Sequence, residues 1–181
     1  MSVAQLKVPV TEQDHFQGAP DAPVTLVEYG DYECPHCARA HPLIELVQRR
    51  VGQRLRFVFR NFPLTEVHPH AEQAAEAAEA AAARGKFWVM HDMIYEHQRD
   101  GLALRDLGQY AAAVGLDAMA VMQDVAAHGF LPRIREDFMG GVRSGVNGTP
   151  TFFINGVRFD GDWTDVDELV EAINGAAVGA T

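Results

Sequence analysis

No run of apolar residues in this 181-residue chain approaches the roughly 18 that a membrane-spanning helix needs, so membrane insertion is not expected. Positive charge is scarce: 15 Lys and Arg stand against 25 Asp and Glu, a formal net charge of −10. Affinity for nucleic acid rests on clustered cations that displace counterions, so no nucleic-acid partner is expected. The opening MSVAQLKVPVTEQDHFQGAP has neither the basic start nor the apolar stretch of a secretory signal. As written, the chain is expected in the cytoplasm, with an exported or periplasmic location as the alternative if a signal has been removed. Cysteine is also scarce, at two residues. A secreted chain stapled for stability carries several cysteines at scattered spacings, whereas cytosolic thiols that form disulfides are usually catalytic or redox-sensing.

What is present suits one domain with an insertion, given the length. Residues 1–20 read as a polar N-terminal extension ending at the turn-forming GAPDAP. VTLVEY, from Val24 to Tyr29, is rich in β-branched residues and reads as a buried strand that carries one acid, Glu28. A helical pattern follows over 34–51, with Ala38, Leu43, Ile44 and Val47 at helical spacing and Gly52 as its stop. LRFVFRNFP, 55–63, alternates Leu55, Phe57 and Phe59 with Arg56 and Arg60 and reads as a second strand broken at Asn61 and Pro63. Strand, helix, strand implies a parallel pair with a helical crossover.

Residues 66–143 read as a bundle of about four or five short helices divided by glycines and by capping Asp or Pro. TFFIN and VRFD then return to strand character, joined by the hairpin signal Asn155-Gly156. A last helix is expected from Thr164 to a stop at Asn174-Gly175. The order is βαβ, a helical insertion, then ββα. This is an α/β chain with the order of a thioredoxin fold, its fold domain split over 21–65 and 144–176 around an all-helical insertion at 66–143.

Both cysteines stand in ECPHCAR as Cys34 and Cys37. On the first turn of a helix, positions i and i+3 place their α-carbons roughly 5 to 6 Å apart, within the range of a disulfide. A helix N-terminus offers unsatisfied N–H groups and the positive end of its dipole, so the Cys34 thiolate is expected to form below the ordinary thiol pKa. Pro35 suits the first helical position, and His36 adds a donor beside the sulfur. Cys34 therefore reads as the nucleophile, and Cys37, one turn inside, as the shielded resolving thiol. The residues also admit two inert thiols or half of a structural zinc site. Zinc needs four ligands, and beyond this CxxC the chain offers only scattered histidines, notably His68 and His70. These two read otherwise as exposed loop residues, and His41 reads as facing solvent. Phe87, Trp88, Met90 and Met93 read as core of the insertion.

CPHC after a strand, Glu28 six residues before Cys34, Pro42 eight after it, and GVNGTPTFFING together resemble the thioredoxin superfamily, and within it the DsbA-like thiol-disulfide oxidoreductases. The resemblance covers about residues 20–175. It implies that Cys34 attacks and Cys37 resolves, and that Glu28 is the buried acid relaying protons for Cys37. It also implies that Thr149-Pro150 is a cis-proline loop that receives substrate, and that Pro42 kinks the active-site helix. A carboxyl on a buried strand has a raised pKa and exchanges protons near neutrality, which agrees; the alternative is an edge-facing Glu28 that reaches water. Exported members carry a signal that this chain does not show. The expected function is thiol-disulfide exchange with protein, peptide or small-thiol substrates and a redox partner, leaning towards a dithiol oxidase. A cytoplasmic reductase or isomerase, a glutathione-transferase-like enzyme and a zinc-binding interaction module stand as alternatives. No cofactor or metal is expected, because two thiols carry the electrons themselves.

Overall fold

The computed structural model describes residues 3–179. In chain order its elements are β1 (His15–Gly18), β2 (Val24–Gly30), α1 (Pro35–Val51), β3 (Leu55–Asn61), then helices α2 (Ala71–Ala82), α3 (Phe87–Glu96), α4 (Leu104–Ala113), α5 (Ala118–Ala126) and α6 (Leu131–Arg143), and finally β4 (Thr151–Ile154), β5 (Val157–Arg158) and α7 (Val166–Val178). Short 3-10 turns stand at Gly52–Arg54 and Gln98–Asp100. No helix among the described residues is long and apolar enough to cross a membrane.

The strands form one five-stranded sheet in the order β1-β3-β2-β4-β5. β1 runs antiparallel to β3 with His15 opposite Phe59, β2 antiparallel to β4 with Glu28 opposite Phe152, and β4 antiparallel to β5. The central strand β2 is buried at every position except Thr25, as expected of a strand covered on both faces. Asn155 and Gly156 both take positive φ, 46° and 81°, the pair of left-handed residues a tight hairpin turn requires.

β1 lies inside what the sequence presents as a polar extension. Its four residues, His-Phe-Gln-Gly, carry no alternation to announce a strand, and pairing with β3 creates it. Gly18 closes it at φ 89°, where an added Cβ would collide with the carbonyl oxygen of Leu55.

Arg60 on β3 also departs from the expected alternation, because it is 3% exposed rather than solvent-facing. It bonds Asp14 through two nitrogens at 2.8 and 3.0 Å, the carbonyls of Val8 and Pro9, and the Tyr29 hydroxyl. Burial works against this cation, but the bonds and charge of Asp14 and Tyr29 outweigh it, and its pKa is raised.

The last helix does not stop at Asn174-Gly175. It begins with Asp165 accepting from the N–H groups of Asp167 and Glu168, buries Leu169, Val170 and Ile173, and continues to Val178. A helical glycine costs only about 1 kcal/mol, and the alanines that follow favour continuation.

The chain divides into two compact units. One comprises residues up to Gly30, Arg39–Arg60 and Met139 onward; the other comprises Asp31–Ala38 and Asn61–Phe138. In the second unit α2 packs against α3, α4 and α5. Fully buried Ala74, Ala77, Ala78, Ala80 and Ala81 let neighbouring backbones approach closely, and Met90, Ile94, Leu107 and Val121 fill the space between. Phe87 and Met90 are core residues as expected, whereas Trp88 and Met93 are half-buried. The Cys-Pro-His-Cys motif clusters with this helical unit.

Candidate active site

Asp31 organises the turn that presents the two cysteines. Its carbonyl accepts from the Cys34 N–H at 3.1 Å, and its carboxylate Oδ1 accepts from the N–H groups of Glu33 at 2.7 Å and Cys34 at 3.2 Å. An aspartate that bonds the backbone two and three residues onward is a local alternative to regular structure, and here it leads into a helix. The Asp31 N–H points to Cys37 Sγ at 3.5 Å. Helix α1 then starts at Pro35 and runs through Pro42 to Val51.

Both cysteines are in the dithiol form. Burial barely separates them: Cys34 is 3% exposed and Cys37 0%. Pro35 and His36, between them, are exposed. The expected contrast between an open nucleophile and a shielded resolving thiol is therefore small in this state, and the exposed part of the motif is its Pro-His pair.

The loop between β3 and α2 supplies the next layer. Asp31 Oδ2 accepts from the Leu64 N–H at 2.8 Å and lies 2.8 Å from His68 Nδ1. Glu33 receives the His70 N–H at 2.6 Å and sits 3.0 Å from His70 Nδ1. His68 and His70 are thus not plain exposed loop residues; both are half-buried and each turns its Nδ1 to a carboxylate of the motif. From the helical side, Gln98 Nε2 donates to the carbonyls of Tyr32 at 2.7 Å and Cys34 at 2.9 Å. The Tyr32 hydroxyl lies 2.8 Å from His91 Nδ1, with both residues buried.

These partners escaped the sequence reading. Asp31 had a signal, an aspartate four residues before a helix start. His68 and Gln98 had none, because their bonds join residues 37 and 64 positions apart.

Within the sheet unit, Glu28 is 3% exposed on β2, so the edge-facing alternative, in which it reaches water, does not hold. The Thr149–Pro150 peptide bond is cis. β4 begins directly after it, and Thr151 pairs with Tyr29. Thr151 Oγ1 donates back to the Gly148 carbonyl at 2.8 Å, fixing the loop from its far side. His41, expected to face solvent, is half-buried.

A buried polar network closes the same helical unit. Asn61 donates its N–H and its side-chain amide to Asp137 Oδ2, both at 3.0 Å, and the amide also reaches Glu79 Oε1 at 2.9 Å. Burial pushes the Asp137 carboxyl up to about 6, with the Glu79 charge adding to it and the Asn61 bonds and Arg133 opposing. Asn61 ends β3 because its backbone N–H is taken by this aspartate.

A family model described as Thioredoxin matches residues 10–174. The crystal structure of oxidised BdbD from Bacillus subtilis superposes with a TM-score of 0.88 at 24% identity, covering 98% of this chain and all of that one. A thioredoxin-like oxidoreductase from Silicibacter pomeroyi DSS-3 gives 0.77 at 26% identity over 92% of this chain and 93% of that one. Alpha-DsbA1 of Wolbachia pipientis gives 0.81 at 21% identity over 97% and 96%. Among curated proteins, a Na(+)/H(+) antiporter NhaA 1 of Mycobacterium sp. (strain KMS) is 46% identical over 164 residues, which is 90% of this chain and 26% of the antiporter. One of Salinispora arenicola (strain CNS-205) is 44% identical over 98% of this chain and 27% of its own length. The chain thus spans about a quarter of the length of these relatives. With the family model matching nearly all of the chain and helices α2 to α6 standing between β3 and β4, this chain belongs to the thioredoxin family, in the form with a helical insertion that DsbA-type proteins share.

Proposed function

We propose that the chain is a DsbA-like thiol-disulfide oxidoreductase that exchanges a Cys34–Cys37 disulfide with the thiols of protein or peptide substrates. The observation that carries this reading is a Cys-Pro-His-Cys motif at the N-terminus of α1, directly after the buried central strand of a thioredoxin-family sheet.

In the oxidising direction a substrate thiolate attacks Cys34 Sγ of the disulfide, and Cys37 leaves as a thiolate. A second substrate thiolate then attacks the substrate sulfur of the mixed disulfide and releases Cys34. Two electrons pass from the substrate dithiol to the protein, and a redox partner removes them. The positive end of the α1 dipole favours the departing Cys34 anion. A stabilised thiolate favours the reduced protein and makes its disulfide a ready donor. Glu28 exchanges the proton of Cys37, and its burial on β2 supports that role. Thr149 and Pro150 receive the substrate backbone; Pro150 has no N–H to commit to a ladder at the start of β4, which leaves the loop open to an extended segment.

The curated relatives place a matching segment within much longer proteins named as antiporters. Ion exchange is not carried over, because this chain spans 26% of such a relative. We read it as the thiol-exchange segment, working where disulfides are made.

Equilibrating the protein across glutathione buffers and scoring the Cys34–Cys37 disulfide tests the reading. A potential near the DsbA end, about −120 mV, supports an oxidase, and one near about −270 mV replaces it with a reductase. No disulfide at any poise overturns thiol exchange altogether.

A further inference from the structure

We propose that Asp31 and His68 form a positioning pair that sets the charge felt at Cys34, with the Asp31 carboxylate holding the thiolate back and the His68 N–H releasing it. The inference rests on the thiol-exchange reading above and assigns that site a control of its own.

The side chain of Asp31 is 0% exposed. A carboxylate taken out of water persists only if donors surround it, and four do: the N–H groups of Glu33, Cys34 and Leu64, and His68 Nδ1. One of the four is the amide of the proposed nucleophile itself. That N–H is among the first groups of the turn leading into α1 and would otherwise turn its positive end to an anion at Cys34. Asp31 therefore opposes the thiolate twice, by adding a like charge to the same turn and by occupying the backbone N–H of Cys34. The same residue directs its own N–H to Cys37 Sγ at 3.5 Å, so it addresses the two sulfurs in opposite senses, favouring an anion at Cys37 over one at Cys34.

His68 is the member of the set that reaches water. Its side chain is 19% exposed, and its Nδ1 donates to the Oδ2 of Asp31, which the Leu64 N–H also occupies. Each donor on that carboxylate draws density away from the Cys34 side. Four other titratable residues surround the motif in this unit: exposed His36, Glu33 with its partner His70, and His91, which bonds Tyr32. The Glu33–His70 pair is more open, with side chains 23% and 45% exposed, so water screens it more than it screens Asp31. Asp31 is set apart by its direct bond to the Cys34 amide at 3.2 Å.

The test is the thiolate absorbance of the reduced protein near 240 nm, followed against pH for Cys34 in a Cys37→Ser background. Asp31→Asn keeps the shape of the turn and removes the charge. The absorbance is expected to appear about one to two pH units lower. His68→Phe keeps a ring and removes the donor, and is expected to move the onset upward. In an Asp31→Asn background, His68→Phe is expected to move it no further, since the histidine acts through the carboxylate. His68→Asn, which keeps an N–H close to the Nδ1 position, is expected to stay near the parent value. A merely structural pair would shift both single variants in the same direction, and two independent effects would add; either result overturns the inference. Thermal melts of all variants separate unfolding from a change at the sulfur, and His68→Asn remains decisive if Asp31→Asn fails to fold. Should the unmodified protein form no disulfide in any glutathione buffer, thiol exchange itself fails. Should it cycle normally while the onsets stay fixed, only the role of this pair fails.

Discussion

Gln98 donates its side-chain amide to the carbonyl of Cys34 at 2.9 Å and to that of Tyr32 at 2.7 Å, tying the backbone before α1 to the 3-10 turn after α3. One amide nitrogen thereby serves two carbonyls, that of Tyr32 and that of Cys34, which also accepts from the Ala38 N–H at 3.1 Å in the first turn of α1. Gln98→Leu leaves both without this donor while keeping the side-chain volume. We expect a loss of about 1–3 kcal/mol in urea unfolding and slower oxidation of a model peptide dithiol, through a less ordered Cys34. Unchanged rates in stopped-flow fluorescence would remove Gln98 from any role at the site.

Cys34 and Cys37 are both buried, at 3% and 0% exposure, so position relative to the start of α1 rather than burial assigns their roles. Cys37→Ser is expected to stop a mixed disulfide at Cys34 that non-reducing electrophoresis and mass spectrometry resolve, because no resolving thiol remains. Cys34→Ser is expected to yield no adduct and to lose essentially all exchange. The reverse pattern would exchange the roles of the two cysteines.

Arg60 and Asp14 form a nearly buried pair, with side chains 4% and 7% exposed. Removing one partner strands the other charge. Arg60→Met is expected to lose about 3–5 kcal/mol by urea unfolding and to loosen the segment of Val8 and Pro9 that the guanidinium also holds. Limited proteolysis with cleavage near Pro9 is the local readout. The double variant with Asp14→Leu is expected to recover part of the loss, since no unpaired charge then remains.

Asp137 makes a pH dependence predictable. Its carboxyl moves from an ordinary value of 3.8 to about 6 in the folded protein, chiefly through burial. Between those values the folded chain keeps a proton that the unfolded chain has released, so stability declines as pH rises through this window. The contribution of this one group is about 3 kcal/mol, fully felt above about pH 6 and absent below about pH 4. Urea unfolding at a series of pH values is expected to show this slope, and Asp137→Asn to flatten it. An unchanged slope in the variant would assign the dependence to other groups.

The features legible in the sequence are those written locally. The helical stretches of the insertion, the Asn155-Gly156 turn and the Cys-Pro-His-Cys helix start were all readable. Each is set by periodicity, by left-handed turn residues or by helix-end chemistry within a few positions. β1 was not readable, because four residues without alternation become a strand only when β3 offers its edge. The end of α7 was misplaced for a related reason: Asn174-Gly175 has the form of a stop, yet the helix runs on through Ala176 and Ala177 to Val178.

What the sequence by itself determined, then, is the family, the order of elements from β2 onward and the two thiols, since these follow from residue type and spacing along the chain. Only the tertiary structure decided which polar and charged groups stand together: Asp31 with His68, Arg60 with Asp14, and Asn61 with Asp137, at separations of 37, 46 and 76 residues. Such pairs arise because a buried charge or polar group must find a partner once water is excluded. No local pattern names that partner, for the choice is made by the fold that brings distant segments into contact.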